Sequence, residues 1–204
     1  MVEESTEPRV RIRTVLVFSM LFAILGAVAL FAYFATFSRP VTTVILVRHA
    51  EKKIEPANPD PDLSEAGQAR AQELARMLAN AGVTAIYATN FKRTQQTVKP
   101  LSDVARVQAT IIDAKQTTEL ANRILTNNRG QTVFVAGHNN TVPEVIAALG
   151  GERLPIIPEN EFDNMFILTI YRFGRAKVVK LKYGAISVPG GGTGTMVPQA
   201  STSK

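Results

Sequence analysis

Cysteine is absent from this chain of 204 residues, and histidine occurs only twice. The first absence excludes disulfides, thiolate metal sites and cysteine nucleophiles, and it leaves thiols silent on redox compartment. The scarcity of histidine argues against a histidine-rich metal site. Neither a metal nor another cofactor is expected. Acidic residues are in deficit: 17 Asp and Glu against 23 Lys and Arg give a net charge of +6. That excess suits an anionic ligand, but no basic run and no basic–aromatic array points to nucleic acid. Internal repeats are also missing. With 46% hydrophobic and 20% charged residues, the chain is long enough for one globular domain with a proper core, plus extra segments.

What is present first is an apolar run. Residues 1–14 are polar, with Glu3, Glu4 and Glu7 followed by Arg9, Arg11 and Arg13, and residues 15–37 carry no charge at all. At about 1.5 Å per residue, a helix of that length spans a hydrocarbon core of roughly 30 Å. Phe31, Tyr33, Phe34 and Phe37 place aromatics at its outer end, as an interfacial belt would. A signal peptide has a shorter apolar region, usually about 7–15 residues, followed by a small-x-small cleavage site. Here Ala27-Val28-Ala29 lies inside the run, so an uncleaved anchor is the expectation. Three arginines precede the span and Arg39 alone follows it closely. The positive-inside rule then keeps residues 1–14 in the cytoplasm and sends the rest across a cell (inner) membrane, to an extracytoplasmic or periplasmic side.

Beyond the linker Ser38-Arg39-Pro40, helical and strand patterns alternate. Val44 to Val47 is apolar throughout and reads as a strand buried on both faces. A loop with Pro56, Pro59 and Pro61 follows. Ser64 is a good N-cap, with Leu63 as a staple, for a helix striped by Leu74 and Leu78 and ending at Gly82. Val83 to Ala88 reads as a second strand, and Thr89 to Thr97 opens a helix. Val107 to Ile112 is a third strand, residues 117–127 a helix, and Thr132 to Ala136 a fourth strand. Asn140 or Thr141 is expected to cap a helix over Val142 to Leu149, with Pro143 in its first turn. Met165 to Arg172 and Lys177 to Tyr183 flank Gly174 as a hairpin at a sheet edge. From Gly184 on, glycine, serine, threonine and proline predict a disordered tail over residues 185–204. The order implies a three-layer α/β/α domain over residues 41–184, with a mostly parallel sheet and an antiparallel edge.

The charged residues that matter sit where these strands end. Arg48 and His49 follow the first, Arg93 comes just past the second, and Gly137-His138-Asn139 follows the fourth. Ligands of open α/β sheets bind beyond the carboxyl ends of strands. Arginine's planar fork suits phosphate oxygens. A neutral histidine can attack through one ring nitrogen while the other is held by a hydrogen bond. One such residue alone would be an ordinary surface group, but both histidines and two arginines at strand ends point to a site.

These segments resemble the histidine phosphatase superfamily, also called phosphoglycerate mutase-like. Leu46-Val47-Arg48-His49-Ala50 is similar to its Arg-His-Gly motif. Phe91-Lys92-Arg93-Thr94-Gln95-Gln96-Thr97 is similar to the segment with its second arginine, and Ala136-Gly137-His138-Asn139-Asn140-Thr141 to its Gly-His segment. The resemblance runs from about Val41 to Tyr183 and implies that His49 is a nucleophile that becomes phosphorylated. It also implies that Arg48, Arg93 and His138 surround the transferring phosphoryl group. Asn139 is placed with them as a substrate-binding residue. Arginines that supply the stabilising charge make a metal unnecessary. Ala50 stands where the family has glycine. The family's proton-donating carboxylate has no clear motif here. Asp113, at the end of the third strand, is the first candidate, Glu119 the second, and Glu51 or Asp62 remain possible. Without an acid, substrates with good leaving groups, such as phosphoramidates or anhydrides, would be favoured.

The expected activity is therefore a membrane-anchored, metal-independent phosphatase acting on a phosphorylated small molecule or phosphoprotein. A mutase-type phosphotransferase and a non-catalytic phospho-ligand module are the alternatives. The family's mutases carry extra segments around the site, for which this domain has little room.

Overall fold

A computed structural model describes residues 7–37, 41–171 and 176–187. They divide into two compact units, residues 1–39 and 40–204. The first is one helix, α1 (Glu7–Phe37), which starts before the uncharged run and takes in the three arginines. Its Thr14–Phe34 segment is long and apolar enough to cross a membrane, and apolar side chains along it are exposed on every face. By length and composition it is a candidate membrane span, and a signal sequence has the same character.

The second unit is built on one six-stranded sheet in the order β3-β2-β4-β1-β5-β6. Its strands are β1 (Thr42–Arg48), β2 (Val83–Thr89), β3 (Ala109–Ile112), β4 (Thr132–Gly137), β5 (Asn164–Ile170) and β6 (Ala176–Lys182). The first four are parallel. β5 runs antiparallel to β1, and β6 antiparallel to β5. The helices between them are α2 (Glu65–Leu78), α3 (Lys92–Ala105), α4 (Thr117–Asn127) and α5 (Thr141–Ala148). This is the expected mixed sheet, with the hairpin strand β6 as its antiparallel edge.

The two-residue period of β1 explains the three layers. Val44 and Leu46 face a core with Leu120, Ile124, Val142 and Ile146 of α4 and α5. Ile45 and Val47 face the opposite core, with Leu74, Leu78, Val98 and Leu101 of α2 and α3. Both faces are covered, so the strand is apolar from Val44 through Val47, up to Arg48. Ser64 caps α2 as expected, its hydroxyl accepting from the Gly67 N–H. Helix α5 is different: Asn140 makes no side-chain cap. Thr141 begins the helix, and its Oγ1 accepts instead from the His138 N–H at 2.8 Å. The chain also stays ordered past the expected start of the tail. Arg70 donates to the carbonyl of Ala185, and Ser187 is held by hydrogen bonds. Residues 188–204, where the rest of the expected tail falls, lie outside the described residues.

The turn after β1 is clamped by α2. Arg70 is buried and donates through Nε and Nη2 to the Glu51 carboxylate at 2.6–3.0 Å, and through Nη1 to the carbonyl of Tyr183. Burial opposes the Arg70 charge, but the Glu51 hydrogen bonds and charge outweigh it and raise its pKa. Gly67, in the first turn of α2, meets the same turn so closely that a Cβ there would lie 2.1 Å from the carbonyl oxygen of Glu51. Gly67→Ala must therefore push α2 off the β1–α2 turn. Overpacking of this kind costs about 1–3 kcal/mol, which should appear as a lower thermal midpoint by far-UV circular dichroism. An unchanged midpoint would mean that the helix slides freely on the turn.

Candidate functional site

The sheet register gathers the sequence's chosen residues. Arg48 pairs with Gly137 across β1 and β4, and Ala88 of β2 pairs with Ala136 of β4. The carboxyl ends of three parallel strands are thus level, and the residues just beyond them open on one cavity of about 530 Å³. Arg48, His49, Arg93, His138 and Asn139 all line it. The two histidine rings lie 5.4 Å apart, centroid to centroid, in a tilted edge arrangement.

His49 is buried. Its backbone N–H donates to the carbonyl of Gly137 at 2.9 Å, which locks the turn to β4. Its Nδ1 lies 2.7 Å from its neighbour Ala50's carbonyl oxygen. A carbonyl only accepts, so the proton sits on Nδ1 and the lone pair on Nε2. Burial pushes the imidazole pKa down to about 2, helped by the charges of Arg48 and Arg93 and by His138. The turn itself is fixed by Thr97 of α3, whose Oγ1 accepts from the Ala50 N–H at 2.9 Å while donating to the carbonyl of Arg93.

His138 is neutral for the same main reason. Burial takes its pKa down to about 4, with the charges of Arg93 and Arg48 adding to the effect. Its Nε2 lies 3.0 Å from Thr89 Oγ1, which is 2.8 Å from Thr94 Oγ1, and that hydroxyl reaches the carbonyls of Phe91 and Thr89. The direction that uses every proton runs from His138 Nε2–H to Thr89, then Thr94, then backbone carbonyl. The protonated nitrogen of His138 is thereby fixed as Nε2. Phe91 packs its ring edge-on to the imidazole at 5.2 Å.

The arginines differ in how they are held. Arg48 is only 3% exposed. Its Nη1 donates to the carbonyls of Pro158, Glu159 and Glu161 at 2.7–3.2 Å, and its plane lies over the Phe162 ring at 4.2 Å. Its Nη2 donates to Glu159 Oε2 at 2.9 Å, and Glu159 Oε1 accepts from Asn139 Nδ2 at 2.7 Å. Arg93 lies over the ring of Phe91 and faces Asp60 at 3.6 Å. Desolvation lowers both arginine pKa values, and their carboxylate neighbours oppose it. Arg48 Nε, Arg93 Nε and Arg93 Nη1 are buried without a hydrogen-bond partner. Buried donors are rarely left so, and a bound anion is one group that would satisfy them.

The expected acids are not brought to this cavity. Asp113 ends β3 as predicted, but its Oδ1 accepts from the Lys115 N–H at 2.8 Å, and it lines a narrow neighbouring cleft. Ala114 and Lys115, not Asp113, line the cavity of the histidines. The reason is local: a short acidic side chain at a strand end bonds its own backbone two residues on, which closes the turn. Glu119 pairs with Arg123 on α4, Glu51 is taken by Arg70, and Asp62 accepts from Gln96. The carboxylates that do line the cavity are Glu144 and Glu159.

Sequence reasoning also missed the supports. Thr89, Thr94 and Thr97 read there only as helix-opening polar residues. Asp60 read as part of a proline-rich loop, yet it accepts from the Lys92 N–H and so caps α3 from outside. The one available signal was the cluster of threonines around Arg93.

The low imidazole values carry a stability consequence. Both histidines bind protons less readily in the folded chain than at the ordinary value of 6.5. Their contribution to stability is therefore complete above about pH 6.5. It should drain as the pH falls, through about 4 for His138 and on toward about 2 for His49. Proton-detected titration of the imidazole resonances should find neither ring charging in the neutral range, and a ring that titrates near 6.5 would contradict this burial.

The chain matches the model of the histidine phosphatase superfamily (branch 1) over residues 44–115. No curated protein matches it in sequence. Among solved structures, the protein histidine phosphatase SixA complexed with tungstate is 19% identical, at a TM-score of 0.56 over 69% of this chain and 96% of that one. A mycobacterial glucosyl-3-phosphoglycerate phosphatase is 12% identical, with a TM-score of 0.55 over 68% and 97%. YhfR of Bacillus stearothermophilus is 16% identical, at 0.57 over 67% and 95%. The segment matched to that family model contains Arg48, His49 and Arg93, and the sheet domain of this chain shares its fold with these solved structures.

Proposed function

We propose that the chain is a phosphatase that hydrolyses a phosphate monoester or a phosphoramidate through a phosphohistidine at His49. One observation carries the reading. The lone pair of a neutral His49 Nε2 shares a cavity with two arginines that keep buried N–H groups without a hydrogen-bond partner.

In the first step His49 Nε2 attacks phosphorus, a P–N bond forms, and the bond to the leaving group breaks with its electron pair. Negative charge spreads over the three equatorial oxygens of the phosphoryl group. Arg48 and Arg93 present fixed cations to it, and His138 and Asn139 complete the wall. In the second step water attacks the phosphohistidine, inorganic phosphate leaves, and Nε2 regains its lone pair while solvent takes the water's proton. Nδ1 stays bonded to the carbonyl of Ala50 throughout, so the ring does not turn. The carbonyls of Pro158, Glu159 and Glu161 hold Arg48 before the substrate arrives, and preorganised charge of this kind is where rate enhancement is greatest. None of the carboxylates expected as acids reaches the cavity. Leaving groups that need little help from an acid fit this site best, phosphoramidates among them. The name of the SixA neighbour, a protein histidine phosphatase, supports the same class.

The expected results are specific. Rapid-quench labelling should trap an acid-labile phosphoryl group on the wild-type chain, and His49→Ala should remove both label and turnover. Full activity in His49→Ala would rule the mechanism out. Arg93→Lys keeps a charge without the planar fork, and its rate should fall by about 10²–10³, the usual loss for one preorganised donor. Chelators should leave the rate unchanged.

We further propose that residues 15–37 anchor the chain in the cell membrane, with residues 1–14 cytoplasmic and the phosphatase domain outside. The arginines before the span support this orientation. The protein should resist extraction by high salt. A reporter fused after Lys204 that works only outside the cytoplasm should be active, and one active only inside would reverse the orientation.

A further inference from the structure

Two lysines on the cavity wall have no part in the chemistry above. Lys52 follows the nucleophile in the β1–α2 turn, and Lys115 lies in the turn between β3 and α4. Lys99 and Lys182 are ion-paired to carboxylates, but the ammonium groups of Lys52 and Lys115 have no partner among the described residues. Their backbones are nonetheless pinned. Lys52 forms a β-bridge with Leu63, and the next N–H, of Lys53, donates to the carbonyl of Asp62 at 2.8 Å. Lys115 is held by Asp113, whose Oδ1 accepts its N–H and whose carbonyl accepts from Gln116 at 2.9 Å. The Asp113 carboxylate thus builds the turn that sets Lys115 on the wall.

The cavity is far larger than a phosphoryl group needs. At about 530 Å³ it falls within the size of sites that enclose a whole small ligand, roughly 300–1,000 Å³. It therefore has room for the leaving group as well as the phosphoryl group. Only Phe91 and Ala114 among its lining residues are apolar, so an apolar leaving group gains little there. Two carboxylates share the wall, but Glu159 is engaged by Arg48 and Asn139, which leaves Glu144 facing two free ammonium groups. A cleft with such an excess of positive charge concentrates anions.

We propose that Lys52 and Lys115 form an outer subsite for a second anionic group, a carboxylate or phosphate carried on the leaving group of the substrate. This rests on the phosphatase reading, with the phosphoryl group between Arg48 and Arg93. The subsite selects among phosphorylated compounds and plays no part in bond breaking.

The test uses the full chain in detergent with two substrates that differ by one charge, phenyl phosphate and 4-carboxyphenyl phosphate. Wild-type protein should prefer the carboxylated ester through KM. The double variant Lys52→Ala/Lys115→Ala should lower the ratio of the two kcat/KM values by about tenfold, in line with two partly exposed ion pairs. Added salt should erode the wild-type preference. Equal losses on both substrates, or an unchanged ratio, would overturn the subsite. Calorimetric binding of phenylphosphonate and 4-carboxyphenylphosphonate reads the same subsite without turnover. If wild-type protein hydrolyses neither ester, the phosphate-monoester form of the phosphatase reading fails, and binding alone then decides the subsite. A carboxylate advantage that vanishes in the double variant upholds the subsite, and equal affinities remove it. Paired phosphoserine peptides, with and without a glutamate beside the phosphorylated residue, extend the comparison to peptides. A preference for the acidic peptide that the double variant loses also upholds the subsite and names a peptide source.

Discussion

Much of this domain is shaped by the need to hold one charged side chain out of water. A buried guanidinium is expensive unless its donors are satisfied, and Arg48 ends a strand that is buried on both faces. Three carbonyls of the segment between α5 and β5 turn inward to meet it, and Phe162 covers its plane. That segment is held from behind in turn. Ser187 Oγ accepts the N–H groups of Phe162 and Asp163, and Asp163 accepts from Lys182 and from the Ser187 N–H. The end of the first strand and the residues around Ser187 are thereby one structure. The hydrogen bonds stop short of Arg48 Nε, which remains without a partner at the cavity.

The same logic recurs on the other side of the site, with hydroxyls in place of carbonyls. Thr89 and Thr94 fix which nitrogen of His138 carries its proton, and Thr97 holds the turn that carries His49. Asp60 supplies the cap that α3 lacks and lies beside Arg93. Both imidazoles and both arginines at the cavity are thus held in place by neighbouring groups. Both imidazoles are kept neutral chiefly by burial, as a nucleophile needs and as a surface histidine would not be.

The legible part of this arrangement came from two periodicities and from punctuation. The unbroken apolar run of β1 and the stripe of α2 announced a sheet covered on both faces. The placement of Arg48, His49, Arg93 and His138 just past such runs announced where the site would lie. Asp113 met the same test of position and went elsewhere, because its side chain closes the turn to Lys115 before it can reach the cavity. Position at a strand end is a rule about the backbone, and a short carboxylate obeys its nearest N–H first. Glu159, which does reach Arg48, sits in a loop with no period to mark it.

By itself, then, the amino-acid order determined what is local: which segments are apolar on both faces, where each strand must stop, that a long uncharged helix stands at the N-terminus, and which cations lie at strand ends. These follow from side-chain period and chemistry within a few residues. Tertiary structure alone decided the register that levels Arg48 with Gly137, the carbonyl cradle drawn from residues 158–161, the hydroxyl that holds the Ala50 N–H and the tautomer of His138. These depend on groups more than forty positions apart meeting within 3 Å or so, a distance that hydrogen bonding enforces in space and that spacing along the chain cannot encode.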